Sequence, residues 1–208
     1  MTVAEKRFNA MPSFVQETNR IYRLKIPFEN LYTSCFFINA DVKILVDCGT
    51  TDKDVDEYIL PALSKMGISL TDITYLVLTH QHGDHAGGKN RILQINPAVN
   101  VIDGIRSIFV NGITMYALKG HMLDCIGVLD LQTGTLISGD GLQGYGVGKY
   151  RCYLESKEEY LKTLDGIQVD TRIKNILFSH AYEPWEKCSV FGREEIEKCI
   201  RDCKDHVK

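Results

Sequence analysis

No apolar run in the 208 residues approaches the roughly 18 consecutive positions that a membrane-spanning helix needs. The opening stretch, MTVAEKRFNAMPSF, lacks the continuous apolar segment of a secretory signal, so a cytoplasmic protein with no membrane partner is expected. Basic blocks are missing too. The formal charge is −3, and without the electrostatic footprint of a nucleic-acid binder no nucleic-acid partner is expected. Internal repeats and Pro- or Ser-rich linkers are absent, and a single domain spanning 1–208 is the simplest expectation. Cysteine is present but unpatterned. Seven residues, an odd number, are scattered at 35, 48, 125, 152, 188, 199 and 203, which reads as reduced thiols and not as a disulfide framework. What remains, 44% hydrophobic and 25% charged, excludes collagen-like, low-complexity and largely disordered classes.

The first third reads as strands. Tyr22, Leu24 and Ile26 alternate with Arg23 and Lys25, the period of a half-buried strand. TSCFFIN (33–39) and VKILV (42–46) flank the turn-prone Ala40-Asp41 and predict a hairpin. Apolar residues at 55, 59, 62, 63 and 66 predict a helix over 54–66, which Pro61 should kink or shorten by removing a backbone donor. ITYLVL (73–78) suits a strand buried on both faces. Short strands are expected at 99–102, 106–110, 113–118, 125–130 and 135–138, the last two joined by a turn at Thr133-Gly134. Ser156-x-x-Glu159 resembles a capping box and starts a helix over 157–165. IKNILF (173–178) predicts another strand. Ile196, Cys199, Ile200, Cys203 and Val207 then form an apolar stripe at helical spacing. Strands followed by a helix, twice over, predict a layered α/β protein with helices outside and sheets inside.

The chain has six histidines, and three of them, His80, His82 and His85, fall within six residues with Asp84 among them. His80 and His82 are two apart, so in extended backbone they would point to the same side. Asp84 and His85 follow where the chain leaves the strand and neighbouring side chains diverge. One short loop can thus serve two centres: two imidazoles for one ion, a carboxylate and an imidazole for a second. Neutral imidazole and carboxylate suit Zn²⁺, and also Fe or Mn. A closed structural zinc site would more often recruit cysteine, so an open, catalytic site is favoured.

His80-x-His82-x-Asp84-His85 after a hydrophobic strand resembles the signature of the metallo-β-lactamase superfamily of hydrolases. The resemblance runs over roughly residues 20–185 and implies a four-layer αββα sandwich with a binuclear metal site at one edge of two sheets. It also implies three further ligands, each at a strand end. Gly120-His121 matches the family's Gly-His, Ser138-Gly139-Asp140 its Gly-Asp, and Ser179-His180 its final histidine. On that basis His80, His82 and His121 hold the first of two divalent ions, zinc first in order with iron or manganese also suited. Asp84, His85 and His180 hold the second, and Asp140 bridges. The two ions share a water that becomes hydroxide near neutral pH and attacks a carbonyl or phosphoryl centre. Asp84 and Asp140, besides ligation, can accept a proton. Asp47-Cys48-Gly49 resembles the family's early Asp-x-Gly turn, with a supporting role at the metals and a purely structural one both open.

Departures from the family pattern narrow the activity. Lys119-Gly120-His121-Met122 replaces the frequent Pro-Gly-His-Thr/Ser, which keeps the ligand and changes the wall beside it. True β-lactamases of this fold lack the bridging aspartate, so the chain looks more like the thioesterase (glyoxalase II-like), lactonase and phosphodiesterase branches. The stretch after the last motif is short for the helical domain of the longer glyoxalase II enzymes. The large insertion usual in nucleases of the fold is also missing. The expected activity is cleavage of an ester-like bond in a small-molecule substrate. Two other classes stand beside it. One is a mononuclear iron enzyme like the persulfide dioxygenases, using His80, His121 and Asp140; the other is a non-catalytic regulatory member of the fold. Glycines at 141, 144, 146 and 148 make GLQGYGVGKYR a candidate substrate loop. Tyr145, Lys149, Tyr150 and Arg151 would offer it stacking and positive charge, the alternative being a connection with no ligand role. Cys199 and Cys203 read as core residues; Cys152 and Cys188 carry no assignment.

Overall fold

The structure, a computed structural model, describes residues 11–28, 31–104, 109–142, 153–181 and 187–207. Its contacts gather into two compact units: Met1–Val77 with His82–Val101, and Leu78–Gln81 with Ile102–Lys208.

The first unit is built on a sheet whose six strands follow chain order: β1 (Val15–Gln16), β2 (Ile21–Phe28), β3 (Leu31–Asn39), β4 (Lys43–Val46), β5 (Tyr75–Val77) and β6 (Asn100–Ile102). The expected hairpin forms, with β3 antiparallel to β4 and Asn39 opposite Lys43 across the turn. β5 then joins β4 in parallel. β3 is buried from Tyr32 to Ile38, as a strand covered on both faces must be. β2 departs from simple alternation because Arg23 is buried. Its guanidinium pairs with Glu17 at 2.6 Å, donates to Ser34 at 3.2 Å and lies 4.8 Å from the Phe36 ring, so the charge is compensated.

A helical stretch, α1, runs from Asp52–Asp54 through a π-helical segment Val55–Ile59 into Leu60–Lys65. The Leu60 N–H bonds back to the Val55 carbonyl, the wide i→i−5 spacing, directly before Pro61. Proline neither breaks nor ends the helix here, because the widened turn comes just where the ring and its missing N–H would disrupt an α-helical ladder. β5 is shorter than the predicted 73–78. After it come two helices that the glycines at 83, 87 and 88 conceal in the sequence: α2 (Gly83–Ala86) and α3 (Lys89–Ile95).

The second unit carries β7 (Phe109–Val110), β8 (Ile113–Ala117), β9 (Ile126–Asp130), β10 (Thr135–Ile137), β11 (Asn175–Leu177) and β12 (Ser189–Phe191), ordered β12-β11-β10-β9-β8-β7. β12 was not anticipated; three residues give no usable period. Helices α4 (Lys157–Val169) and α5 (Arg193–Val207) supply the rest of its core. Ser156 accepts from the Glu159 amide, the expected N-cap of α4. The α5 stripe of Ile196, Cys199, Ile200, Cys203 and Val207 is buried with Tyr160, Leu164, Ile176 and Phe178, while Arg193–Glu197 and Lys198–Asp202 pairs line its outer face. None of the six described cysteines is in a disulfide. Among the described residues, no helix is long and apolar enough to cross a membrane.

Burial of the α5 stripe makes two expectations measurable. Ile200→Ala should cost about 2–5 kcal/mol in urea unfolding. Cys199 and Cys203 should react with a thiol reagent only as the protein unfolds; rapid labelling in the native state would contradict their place in the core.

Candidate metal centre

Strand direction assembles one half of the candidate ligands. β8 and β10 are each antiparallel to β9 and so run the same way, and β11 is parallel to β10. The turns after these three strands therefore emerge at one edge of the second unit's sheet, and they carry His121, Asp140 and His180. The Asp140 carboxylate lies 3.1 Å from His180 Nε2 through Oδ1 and 3.8 Å from His121 Nε2 through Oδ2. The His80 and His121 rings meet edge to face with centroids 5.0 Å apart. His80 sits in the bend after β5, held to this unit because the Ile126 N–H donates to the Thr79 carbonyl at 2.8 Å. The glycine before each of two candidate ligands is required. Gly120 has φ 143°, and a Cβ there would lie 2.5 Å from Tyr160 Cβ; Gly139 has φ 51°, and a Cβ would lie 2.7 Å from Thr79 Cβ.

The first unit holds His82, Asp84 and His85. His82 caps α2 with extended backbone, and Asp84 and His85 occupy the helix itself. Since β5 ends at Val77, His80 and His82 both lie beyond the strand, and strand alternation does not set where they point. His85 is fully buried, its Nδ1 2.8 Å from Asp47 Oδ2 and its Nε2 3.4 Å from Asp84 Oδ2. Asp47 has φ 59°, uncommon for a residue with a Cβ. Its carboxylate is the partner of the His85 ring, the contact that a supporting role there requires. Two thiols complete this half: Cys35 Sγ donates to the Asp47 carbonyl at 2.9 Å, and Cys48 Sγ to the His85 carbonyl at 3.3 Å. Burial first, then the Asp47 charge and, for Cys35, the neighbouring Cys48, pushes both thiols well above the ordinary range, so they stay protonated donors.

The fit to a metal follows from proton placement. A neutral imidazole carries one N–H. The partner of His85 Nδ1 is a carboxylate, and that of His121 Nδ1 is the Tyr153 carbonyl at 2.6 Å; both are acceptors. Nδ1 therefore keeps the hydrogen in each ring and leaves the Nε2 lone pair free to coordinate. Thr79 Oγ1 occupies the same position at His80 Nδ1, 3.2 Å away. The seven residues singled out in the sequence are all histidine or aspartate, side chains able to hold a metal ion. Nitrogen and oxygen donors without thiolate suit zinc, iron or manganese.

The sequence profile described as the metallo-beta-lactamase superfamily matches residues 29–105, which include the His80-to-His85 cluster. The lactamase-like protein aptB of Emericella nidulans is 32% identical over 121 residues, covering 50% of this chain and 38% of its own length. The hydroxyacylglutathione hydrolase of Halorhodospira halophila is 29% identical over 133 residues, 52% of each chain. The chain is similar to the metallo-β-lactamase superfamily over residues 29–105. It thus spans about half or less of these relatives' length. A solved metallo-beta-lactamase from Pontibacter korlensis, 13% identical, superposes with a TM-score of 0.72 over 94% of this chain and 98% of that one. That likeness shows the fold, the α/β sandwich class of the superfamily.

The histidine and aspartate side chains above could bind metal. Tyr145, Lys149 and Tyr150 lie outside the described residues, as does Arg151. Sequence reasoning missed Cys35, Thr79 and the Tyr153 carbonyl. A main-chain carbonyl leaves no trace in a sequence; the adjacency of Thr79 to His80 was the one available signal. The glycine before His121 gives a direct check. Gly120→Ala should lose about 1–3 kcal/mol or more in urea unfolding, from backbone strain plus collision with Tyr160. Gly112→Ala, at φ 78° with open space around it, should lose less.

Proposed function

We propose that the chain is a binuclear metallohydrolase, a single domain over 1–208, cleaving an ester-like bond of a small-molecule substrate. In this reading His80, His82 and His121 hold one ion, Asp84, His85 and His180 hold the other, and Asp140 bridges. The ions are zinc first, with iron or manganese as the alternatives. The observation that carries the reading is Asp140, whose two carboxylate oxygens face His180 Nε2 at 3.1 Å and His121 Nε2 at 3.8 Å. These imidazoles are assigned to different ions, and a carboxylate between them is what a bridge requires. It also turns the reading away from the true β-lactamases. The relative named hydroxyacylglutathione hydrolase supports the hydrolase class and puts a thioester ahead of a lactone or phosphodiester.

When bound, a pair of divalent ions supplies a water with pKa lowered toward ~7 and polarises the scissile oxygen. The chain's own residues do the rest. Acceptors on Nδ1 orient the imidazoles and, in the neutral ring, leave Nε2 as the ligand. Asp84 and Asp140, besides serving as ligands, hold or return the proton released when water attacks. Tyr145, Lys149 and Tyr150 belong to the loop proposed to line the substrate.

Asp140→Asn tests this. The substitution removes one anionic ligand and keeps its size. The weaker-held ion should be lost more readily, and turnover on the best thioester, lactone or phosphodiester should fall at least ~100-fold, with melting temperature near wild type. Full activity with both ions retained would refute the bridge and the hydrolytic mechanism built on it. One iron per chain with thiol-dependent oxygen uptake would move the protein to the oxygenase class.

A further inference from the structure

We infer that the buried thiols of Cys35 and Cys48 are positioning groups for His85, holding the turn that presents Asp47 to its imidazole. The inference rests on the metal-site reading above, since it assigns the thiols a part in how His85 binds an ion. In the β3–β4 register Phe36 lies opposite Val46, so the next pair would set Cys35 against Asp47. The ladder ends there because Asp47 turns to φ 59°. Its N–H turns to the Val77 carbonyl at 2.8 Å, and its own carbonyl accepts from Cys35 Sγ at 2.9 Å. A buried carbonyl leaving a sheet needs a donor, and a side chain from the neighbouring strand can supply one without extending the ladder. The thiol therefore fixes the backbone of the residue whose carboxylate holds His85 Nδ1.

Cys48 acts on the other end of the same histidine. Its N–H donates to the His85 carbonyl at 2.8 Å and its Sγ to the same oxygen at 3.3 Å. α2 has only four residues, so the His85 carbonyl lies among the terminal groups that need a partner outside the helix. The approach is very close. A Cβ on Gly88 would sit 2.4 Å from the Cys48 carbonyl oxygen, and one on Gly87 only 1.8 Å from that of Thr50. His85 is thus held at its ring by Asp47 and at its backbone by Cys48, with Cys35 fixing the residue between. Two cysteines that only filled space would have no reason to place both sulfurs on the carbonyls of this pair.

The test uses the full chain in four forms: wild type, Cys35→Ala, Cys35→Ser and Cys199→Ala. Ring ¹⁵N shifts of His85 in the metal-free protein report which nitrogen carries the proton. Competition of Zn²⁺ against a chromophoric chelator reports affinity. Wild type should show one tautomer, protonated at Nδ1. Cys35→Ala should show a mixture, and the ion held by His85 should bind about 10-fold more weakly, the low end for loss of a group supporting a ligand. Cys35→Ser keeps a donor and should restore both. Cys199→Ala, in the second unit's core, should lower melting temperature and leave both unchanged. Should Cys35→Ala fail to fold, Cys48→Ala, which keeps the Cys48 N–H bond, carries the same two expected changes. A single Nδ1 tautomer with wild-type affinity in the alanine variant, or a serine variant that fails like alanine, would overturn the inference. If wild type binds no Zn²⁺ the metallohydrolase reading falls, while the His85 shifts still decide whether the thiols position the ring.

Discussion

An imidazole without charge has one proton to share between two nitrogens, and the whole candidate centre depends on which nitrogen keeps it. At His85 the choice is made by the Asp47 carboxylate, at His121 by the Tyr153 carbonyl. Neither oxygen can donate, so the hydrogen stays on Nδ1 and Nε2 is left as a ligand. A histidine cluster without such partners would be a set of titrating surface groups. With them, each ring has a fixed face and, when neutral, a fixed tautomer. The strained backbone of Asp47 and the close packing against α2 make sense as the means of keeping that acceptor in place.

Topology does the same work at larger scale. His121, Asp140 and His180 are separated by 19 and 40 positions in the sequence. They meet because β8, β10 and β11 share a direction, so their following turns open at one edge. The glycines before His121 and Asp140 let these turns bend immediately after the strand, where a side chain would collide with Tyr160 or Thr79. The candidate ligands are thus carried by short turns on rigid strands, the arrangement best able to hold donor atoms within a few tenths of an ångström.

Much of this was legible in the residues. The strands β2 to β4, the hairpin turn and the α5 stripe follow from period and turn chemistry, because each is long enough for its pattern to repeat. Five of six histidines could be placed by order alone once the His80-to-His85 cluster was seen. Other features left no pattern. α2 and α3 hide behind glycines whose purpose is close packing, not helix breaking, and Pro61 marks a widened turn in place of an end. Arg23 looked like the polar face of β2, although Glu17 and Phe36 make it a buried residue. The groups supporting the histidines are carbonyls, a strained aspartate and two thiols. Their roles arise from tertiary placement, which local propensity does not encode.

The central proposal is that His80, His82, Asp84, His85, His121, Asp140 and His180 hold one pair of ions. Its most direct test is an anomalous-difference map from a crystal of the metal-loaded chain. The account predicts two peaks about 3.5–4 Å apart, with Asp140 reaching both, His121 on one and His180 on the other. A single peak at full metal supply, or two peaks with Asp140 bound to neither or to only one, would contradict it.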